Sequence, residues 1–223
     1  MGHNALKDSH WRSNILLDFG NQDSKVKEIF AKYPQVIYMS GHIHNGFGVV
    51  EAIDREYGTL IDLPSYNESE NGVKEAGIGY HVKIYKDSVV LKARNFKTSS
   101  WLPEYDITVA LPGLPSVYKM AKSLNPGAYT PETYGKILKL MEEGKSVFQK
   151  EYDQSKLTYE NVAPPGVSLF TRGMRGRINE LASELSVAMN AQPVDSQFQE
   201  LREKWLVTLL GGELDTGNEA VRT

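Results

Sequence analysis

The spacing of apolar residues in the first third of the chain predicts one helix and several short strands. Apolar residues recur at helical spacing after Asp23 and Ser24, either of which can cap a helix, and Pro34 stands just beyond the predicted end. The apolar run 36–39 that follows is typical of a buried strand. Further strands are predicted at 48–53 and 59–63.

Alternation with a period of two predicts a β-hairpin in the next segment. Apolar residues alternate with polar ones over 80–84 and again over 89–93, and Lys86-Asp87-Ser88 supplies the turn. This pattern indicates a hairpin with one buried face. The polar, glycine-containing segment 64–79 is predicted to be a loop near the strand ends.

The periodicity becomes helical after a proline- and glycine-rich linker predicted at 111–115. A helix is predicted to begin at Thr130-Pro131, with a hydroxyl cap and a proline in its first turn. Three amphipathic stripes indicate a small three-helix bundle. The stripes are Tyr134, Ile137, Leu138, Met141 and Phe148; Ile178, Leu181, Leu185 and Met189; and Phe198, Leu201, Trp205 and Leu209. We therefore expect an α+β chain with an α/β part at 1–112 and a helical domain at 113–223.

The composition excludes several classes of function. The 223 residues are 40% hydrophobic and 24% charged, with a formal net charge of -3, so overall charge gives no reason to expect nucleic acid as a main partner. No apolar run is long enough to cross a membrane. The polar first residues do not form a signal peptide, so the chain as written is expected in the cytoplasm; an upstream signal in a longer parent would place it outside.

The absence of cysteine narrows the possible chemistry further. It excludes disulfides, thiolate zinc sites and cysteine nucleophiles. Any metal must be held by nitrogen and oxygen ligands, which draws attention to the five histidines.

The sequence Gly41-His42-Ile43-His44 directly follows a predicted strand. Glycine permits a tight turn there, and two imidazoles at a strand end can bind zinc, manganese, iron or nickel. Such metals activate water at neutral pH. Taken alone, the motif fits an ordinary pair of surface histidines equally well.

The context of this motif resembles a known family. The segment Tyr38 to His44, with its preceding strand, resembles the final Gly-His-x-His motif of the calcineurin-like metallophosphoesterases. Met1-Gly2-His3-Asn4 resembles the end of the preceding family strand, which carries another metal histidine. The resemblance covers residues 1–110 and implies the C-terminal half of a two-sheet sandwich. It also implies that His3 and His42 bind one divalent metal and His44 a second, the metals being Mn, Fe, Zn or Ni.

The chain departs from this family in lacking the upstream motifs that supply the acidic metal ligands and the general acid. Asp8-Ser9-His10 and Asn21-Gln22-Asp23 formally resemble them, but they stand too close together to hold the intervening strand and helix. They are better explained as loop and helix-cap residues. No catalytic residue is therefore assigned, and we expect weak or partial metal binding, little hydrolysis, and a chain that is a fragment of a longer protein.

Several other residues carry weaker predictions. Arg12 follows His3 in a loop and is expected to contact a substrate phosphate. Asn45 is expected either to contact substrate or, with Ser40, to orient the histidine rings. His81 is interpreted as a structural residue of the hairpin. The arginines at 172, 175 and 177 are predicted to form a solvated turn.

Two functions remain after this reasoning. The first is a metal-dependent phosphoesterase fragment, expected to be a phosphodiesterase acting on a phosphate ester that could be a nucleotide. The alternative is a non-catalytic interaction protein that uses its helical domain. Because half a sandwich would leave a sheet edge and an apolar face open, self-association is also expected.

Overall fold

The computed structural model describes residues 1–9, 13, 19–49, 52–155 and 166–191. These residues form four α-helices and two small sheets, which confirms the predicted α+β class. The helices are α1 (Asp23–Lys32), α2 (Leu114–Lys122), α3 (Pro131–Ser155) and α4 (Gly166–Asn190). The strands are β1 (Ile37–Ser40), β2 (Ala52–Arg55), β3 (Gly58–Asp62), β4 (Ile78–Ile84), β5 (Ser88–Asn95), β6 (Ser100–Trp101) and β7 (Ile107–Ala110).

The first sheet has the strand order β1-β3-β2. β1 and β3 run parallel, with Ser40 opposite Asp62 at their carboxyl ends, and β2 is antiparallel to β3. The N-terminus extends this sheet, because Gly2 forms a parallel bridge to Ser40 on the other side of β1. The segment that precedes His3 and the strand that precedes His42 are therefore neighbours.

The predicted strand at 48–53 was wrong at its start. Residues 47–49 form a turn, and β2 begins only at Ala52. Gly48 has a φ of 91°, a conformation that a glycine adopts easily and that does not belong to a strand. The strand predicted at 59–63 is confirmed as β3.

The second sheet contains the predicted hairpin. β4 and β5 are antiparallel over their whole length, and β6 and β7 both pair with β5. Side chains from both sheets share one hydrophobic core, so the sheets pack face to face. This core consists of Ala52, Ile61, Val89, Leu91, Ile107 and Val109, with Ile37, Met39, Leu63, Tyr80 and Leu111 partly buried against it.

The buried face of the hairpin is continuous on β5 but not on β4. Val89, Leu91 and Ala93 are buried as predicted. Val82 and Ile84 point the same way as their partners Leu91 and Val89, yet they are 40% and 76% exposed. β4 is an edge strand of its sheet, and the core between the two sheets does not include Val82 or Ile84.

In the helical part, α2, α3 and α4 pack against one another around one hydrophobic core. The first of these helices was missed, because residues 111–115 were interpreted as a linker although α2 already begins at Leu114. Pro115 suits the first turn of a helix, where no backbone donor is needed. The third predicted stripe, at 198–209, lies outside the described residues. The core comprises Leu114, Val117, Tyr118, Ala121, Ile137, Leu140, Val147, Phe148, Ile178, Leu181, Ala182, Leu185, Ala188 and Met189.

The predicted start of α3 and the stripe of α4 are both confirmed. Thr130 Oγ1 accepts a hydrogen bond from the backbone N–H of Thr133, as a helix cap does. Leu138 was assigned to the buried stripe of α3 but is exposed, and Leu140 is buried instead. Among the described residues, no helix is long and apolar enough to cross a membrane.

Polar contacts attach the helices to the sheets. Asn179 on α4 accepts a hydrogen bond from the backbone N–H of Ala110 and donates one to the carbonyl of Thr108. Lys119 on α2 donates to the carbonyls of Ala31 and Lys32 at the end of α1. That end carries unpaired helix carbonyls, so the ammonium group satisfies them.

The predicted turn around the arginines at 172, 175 and 177 was wrong, because all three positions lie within α4. Arg175 is buried against Asp54 of β2, and Arg177 pairs with Glu143 of α3. Arg175 and Arg177 join α4 to its neighbours, and Gly173 and Gly176 are accommodated inside the helix.

Candidate functional site

His3 and His42 meet at the carboxyl ends of two adjacent parallel segments. The backbone N–H of Gly2 donates to the carbonyl of Met39, and that of Gly41 donates to the carbonyl of His3. These bonds fix the register between the N-terminal segment and β1. The two histidines therefore leave the sheet side by side, 39 positions apart in the chain.

The side chains of this pair are in direct contact. Nε2 of His3 lies 3.0 Å from Nδ1 of His42, and the ring centroids are 4.8 Å apart with the planes inclined at 62°. Two nitrogens that each bind one metal at 2.0–2.1 Å lie about 3.0–3.4 Å apart, depending on the coordination angle. The observed separation is thus compatible with two ligands of one metal. Without metal, one ring can donate to the other when both rings are the same tautomer, because only one of the two facing nitrogens then carries a proton.

Both histidines of the Gly-His-x-His turn have left-handed backbone. The φ angles of His42 and His44 are 71° and 58°. For residues with a Cβ this region costs roughly 1–2 kcal/mol each. Such strain is retained where the surrounding structure holds it in place, and it is concentrated at ligand-binding sites.

A second segment holds this turn through its backbone. The backbone N–H groups of Ser65, Glu70 and Val73 donate to the carbonyls of Asn45, His44 and Phe47, at 2.7–2.8 Å. In the opposite direction, Gly46 donates to the carbonyl of Asn71 at 2.7 Å. These bonds on successive residues supply the constraint that the left-handed histidines require.

Gly46 and Gly2 allow close approaches that a side chain would prevent. A Cβ on Gly46 would lie 1.8 Å from the backbone oxygen of Val73. Val73 cannot move away without breaking the hydrogen bond from its backbone N–H to the carbonyl of Phe47. A Cβ on Gly2 would lie 2.1 Å from the hydroxyl of Tyr38. That hydroxyl donates to the carbonyl of Asn4 just after His3, and burial raises the pKa of Tyr38, which favours the protonated donor.

A buried chain of polar side chains lies beneath the histidine turn. Nδ2 of Asn45 donates to Oδ2 of Asp62 at 3.3 Å, and Nδ2 of Asn71 donates to Oδ1 of Asn45 at 3.1 Å. All three residues are buried, and Asn45 is only 1% exposed. Its side chain therefore holds the turn against β3, and we assign it a positioning role instead of the predicted substrate contact. Ser40 is buried next to Asp62 in the sheet register.

Among the described residues, no recorded side-chain contact joins another predicted metal ligand to the histidine pair. His44 is exposed on the same turn, and its carbonyl, not its ring, makes the contact to Glu70. Arg12, predicted to bind a phosphate, lies outside the described residues, as does His10. The predicted cap at Asp23 is wrong, because Gln22 occupies the cap position of α1 and no side chain makes a cap hydrogen bond there. Asp23 is the first helical residue; it accepts from the backbone N–H of Lys7 and pairs with Lys27.

Within the described parts of the chain, no group of three or more His, Cys, Asp or Glu side chains is arranged to hold a metal ion. The histidine pair by itself offers two nitrogen donors. Searches against protein-family models, curated proteins and solved structures find no match to this chain.

Sequence reasoning missed Asp62 and Asn71. Asp62 ends β3, and only the parallel pairing of β3 with β1 brings it beside the histidine turn. A usable signal was the position of an acidic residue directly after an apolar run, since such residues gather at one edge of a parallel sheet. Asn71 lies in a loop whose course the local sequence does not fix.

Proposed function

We propose that this chain carries the histidine half of a metal-dependent phosphoesterase centre and acts in phosphodiester hydrolysis. The observation that carries the proposal is the 3.0 Å approach of His3 Nε2 to His42 Nδ1 at the carboxyl ends of neighbouring parallel segments. These two side chains come from the two sequence segments that resemble the calcineurin-like family.

The donor chemistry of the site fits a divalent transition metal in part. Imidazole nitrogens suit Mn, Fe, Zn and Ni, and the separation of the pair matches two ligands on one ion. His44 stands on the same strained turn with an exposed side chain, and we propose it as a ligand of a second ion. When bound, such metals supply an activated water and neutralise charge on the phosphate oxygens.

The tertiary arrangement supports the same proposal. Two small sheets share one hydrophobic core, and the histidine segments lie at one edge of the first sheet. We propose from the sequence resemblance that these sheets belong to the C-terminal half of a two-sheet sandwich. The role of this chain's own residues is to hold imidazoles in a fixed orientation. The backbone hydrogen bonds to residues 44–47 and the buried side chains of Asp62, Asn45 and Asn71 hold them in that orientation.

The acidic ligands that would complete a two-metal centre are absent from the described histidine site. We therefore propose that carboxylates outside the described histidine site, on this chain or on another chain, complete it. With histidines alone, two divalent cations would be poorly neutralised, so the chain by itself should bind metal weakly and hydrolyse slowly.

The proposal is tested by hydrolysis of bis(4-nitrophenyl) phosphate with manganese or with a chelator. We compare the wild-type chain, the His3→Ala/His42→Ala double variant, and His81→Ala, which removes an exposed histidine from the second sheet. We expect slow, manganese-dependent hydrolysis that is lost in the double variant and kept in His81→Ala. Hydrolysis that survives the double substitution or the chelator would contradict the proposal.

A further inference from the structure

The outward face of the second sheet is cationic and aromatic. The residues of β5 that alternate with the buried ones include Lys92 and Arg94, and His81 on β4 stands opposite Lys92. Trp101 on β6 pairs with Arg94. Trp101 and Phe96 are 46% and 42% exposed, and each ring lies close to the guanidinium of Arg94. We call this set the aromatic-cationic face.

The guanidinium of Arg94 lies close to both aromatic rings. Its guanidinium carbon lies 4.8 Å from the ring centroid of Trp101 and 5.6 Å from that of Phe96. Both distances are within the range of a cation–π contact. Its Nε is buried without a hydrogen-bond partner among the described residues, and no carboxylate there pairs with it. A fixed guanidinium without an anionic partner is suited to bind an external anion.

Lys92 and His81 also lie against the ring of Trp101. Nζ of Lys92 lies 5.3 Å from the ring centroid, and the ring of His81 meets it edge-on at 5.9 Å. These contacts fix the indole over the sheet while leaving nearly half of it exposed. An exposed, immobilised aromatic ring is a stacking surface for a planar ligand.

Negative charge is scarce on this face. β4, β5, β6 and β7 contain no Asp or Glu, whereas their outward positions carry His81, Lys83, Lys92 and Arg94. The nearest carboxylate in contact is that of Asp106, whose Oδ2 is 4.0 Å from Lys92 Nζ and whose Oδ1 accepts from the backbone N–H of Ala93. The overall net charge of -3 conceals this local excess of positive charge.

We propose that the aromatic-cationic face binds single-stranded nucleic acid. Arg94 and Lys92 would contact phosphates, and the exposed face of Trp101, with Phe96, would stack bases. Open sheets with aromatic platforms and basic rims bind single strands in this way. A simple phosphate would contact the cations but not the aromatic rings. A polyanion that carries bases would contact both, and we therefore favour it. The proposal does not depend on the histidine pair.

The test is fluorescence anisotropy of a short fluorescein-labelled oligothymidylate titrated with the full chain over a range of salt. Arg94→Gln removes the charge and Trp101→Ala removes the stacking surface. Lys145→Gln, on an exposed part of α3, is the control for loss of one positive charge. Arg94→Lys and Trp101→Phe restore the charge and part of the stacking. Thermal melting checks that each variant is folded.

We expect Trp101→Ala to weaken binding about 5- to 150-fold, which corresponds to the loss of one stacked base. Arg94→Gln should weaken binding and reduce the salt slope by about 0.7, as expected for one phosphate contact with a single strand. The conservative variants should retain most of the affinity, and Lys145→Gln should bind like wild type.

Three results would overturn the proposal. One is the absence of oligothymidylate binding at low salt. Another is a Trp101→Ala variant that binds as wild type while inorganic polyphosphate competes as well as the oligonucleotide, since this would mean a site for phosphate alone. The third is an equal loss of affinity in Lys145→Gln, which would mean nonspecific attraction to the whole surface.

Discussion

The guanidinium of Arg175 on α4 donates a 2.5 Å hydrogen bond to the carboxylate of Asp54 on β2. The two side chains are 8% and 1% exposed, and Thr59 Oγ1 donates to the other oxygen of the same carboxylate. Removal of one member of a buried ion pair leaves a charge in an apolar environment, which costs more than the pair contributes. The ion pair between Arg175 and Asp54 joins the helical part of the chain to the first sheet.

We therefore expect Arg175→Met to lower the free energy of unfolding by about 3–5 kcal/mol. Urea unfolding followed by far-UV circular dichroism measures this change. The matched control is Lys145→Met on exposed α3, expected to change stability by about 0.5 kcal/mol or less. A wild-type chain in which sheets and helices unfold in two separate transitions would contradict the view that this pair unites them.

The positioning role of Asn45 predicts an effect on the metal site. Asn45→Ala removes one hydrogen-bond partner each from Asp62 and Asn71, which should cost about 1–3 kcal/mol of stability. Zinc affinity of the folded variant should fall about 10- to 100-fold, because such supporting contacts hold ligands in place. Isothermal titration calorimetry measures it, with Asn67→Ala on the exposed surface of the nearby loop as control. Equal zinc affinity in wild type and Asn45→Ala would contradict the role.

The hairpin offers two apolar residues that face the same side but differ in burial. Leu91→Ala, on β5, should cost about 2–5 kcal/mol because it opens a cavity in the core between the sheets. Ile84→Ala, at the exposed end of β4, should change stability by about 0.5 kcal/mol or less. Chemical denaturation of both variants provides the comparison. A large loss in Ile84→Ala would indicate that this end of β4 is covered in solution.

The contact between Arg177 and Glu143 predicts a pH dependence. Arg177 donates hydrogen bonds to both carboxylate oxygens of Glu143, at 2.7 and 2.9 Å, and these bonds lower the pKa of that carboxyl. The stabilisation is thus complete above the unfolded pKa of glutamate, about 4.3, and is lost as the pH falls through the lower folded value. Both side chains remain partly exposed, so the effect should be about 0.2–1 kcal/mol.

Melting temperatures of wild type and Glu143→Gln between neutral and acid pH test this dependence. The wild type should be the more stable near pH 7, and the difference should shrink below about pH 4. Glu142→Gln, which removes a more exposed carboxylate on the same helix, should show no such convergence. A difference that grows as the pH falls would contradict the assigned sign.

Local patterns were sufficient for much of the fold. Alternation predicted the β4–β5 hairpin, and the Thr130-Pro131 cap predicted the start of α3. The helix α2 was missed because Pro112, Gly113 and Pro115 resemble a linker, whereas Pro115 in fact occupies the first helical turn. Proline and glycine mark boundaries in a sequence, but they do not show which side of the boundary is helical.

The candidate site was predictable only where its residues follow strands. The motif at 41–44 and the N-terminal His3 were singled out from sequence, and the structure brings His3 and His42 together. Asn45 was noticed, but its burial between Asp62 and Asn71 depends on long-range pairing that local sequence does not contain. The aromatic-cationic face was missed for the same reason, since Trp101 reaches Lys92 and Arg94 only through the pairing of β6 with β5.

The most direct test of the account is whether the two imidazoles bind one metal ion together. Ring nitrogens of ¹⁵N-labelled histidine are followed by long-range ¹H–¹⁵N NMR during titration with zinc, in the wild type and in His3→Ala. We predict that His3 Nε2 and His42 Nδ1 shift together at the same zinc concentrations, and that the His42 response is lost in His3→Ala. Unchanged resonances of both rings, or a His42 response that persists without His3, would contradict the metal site.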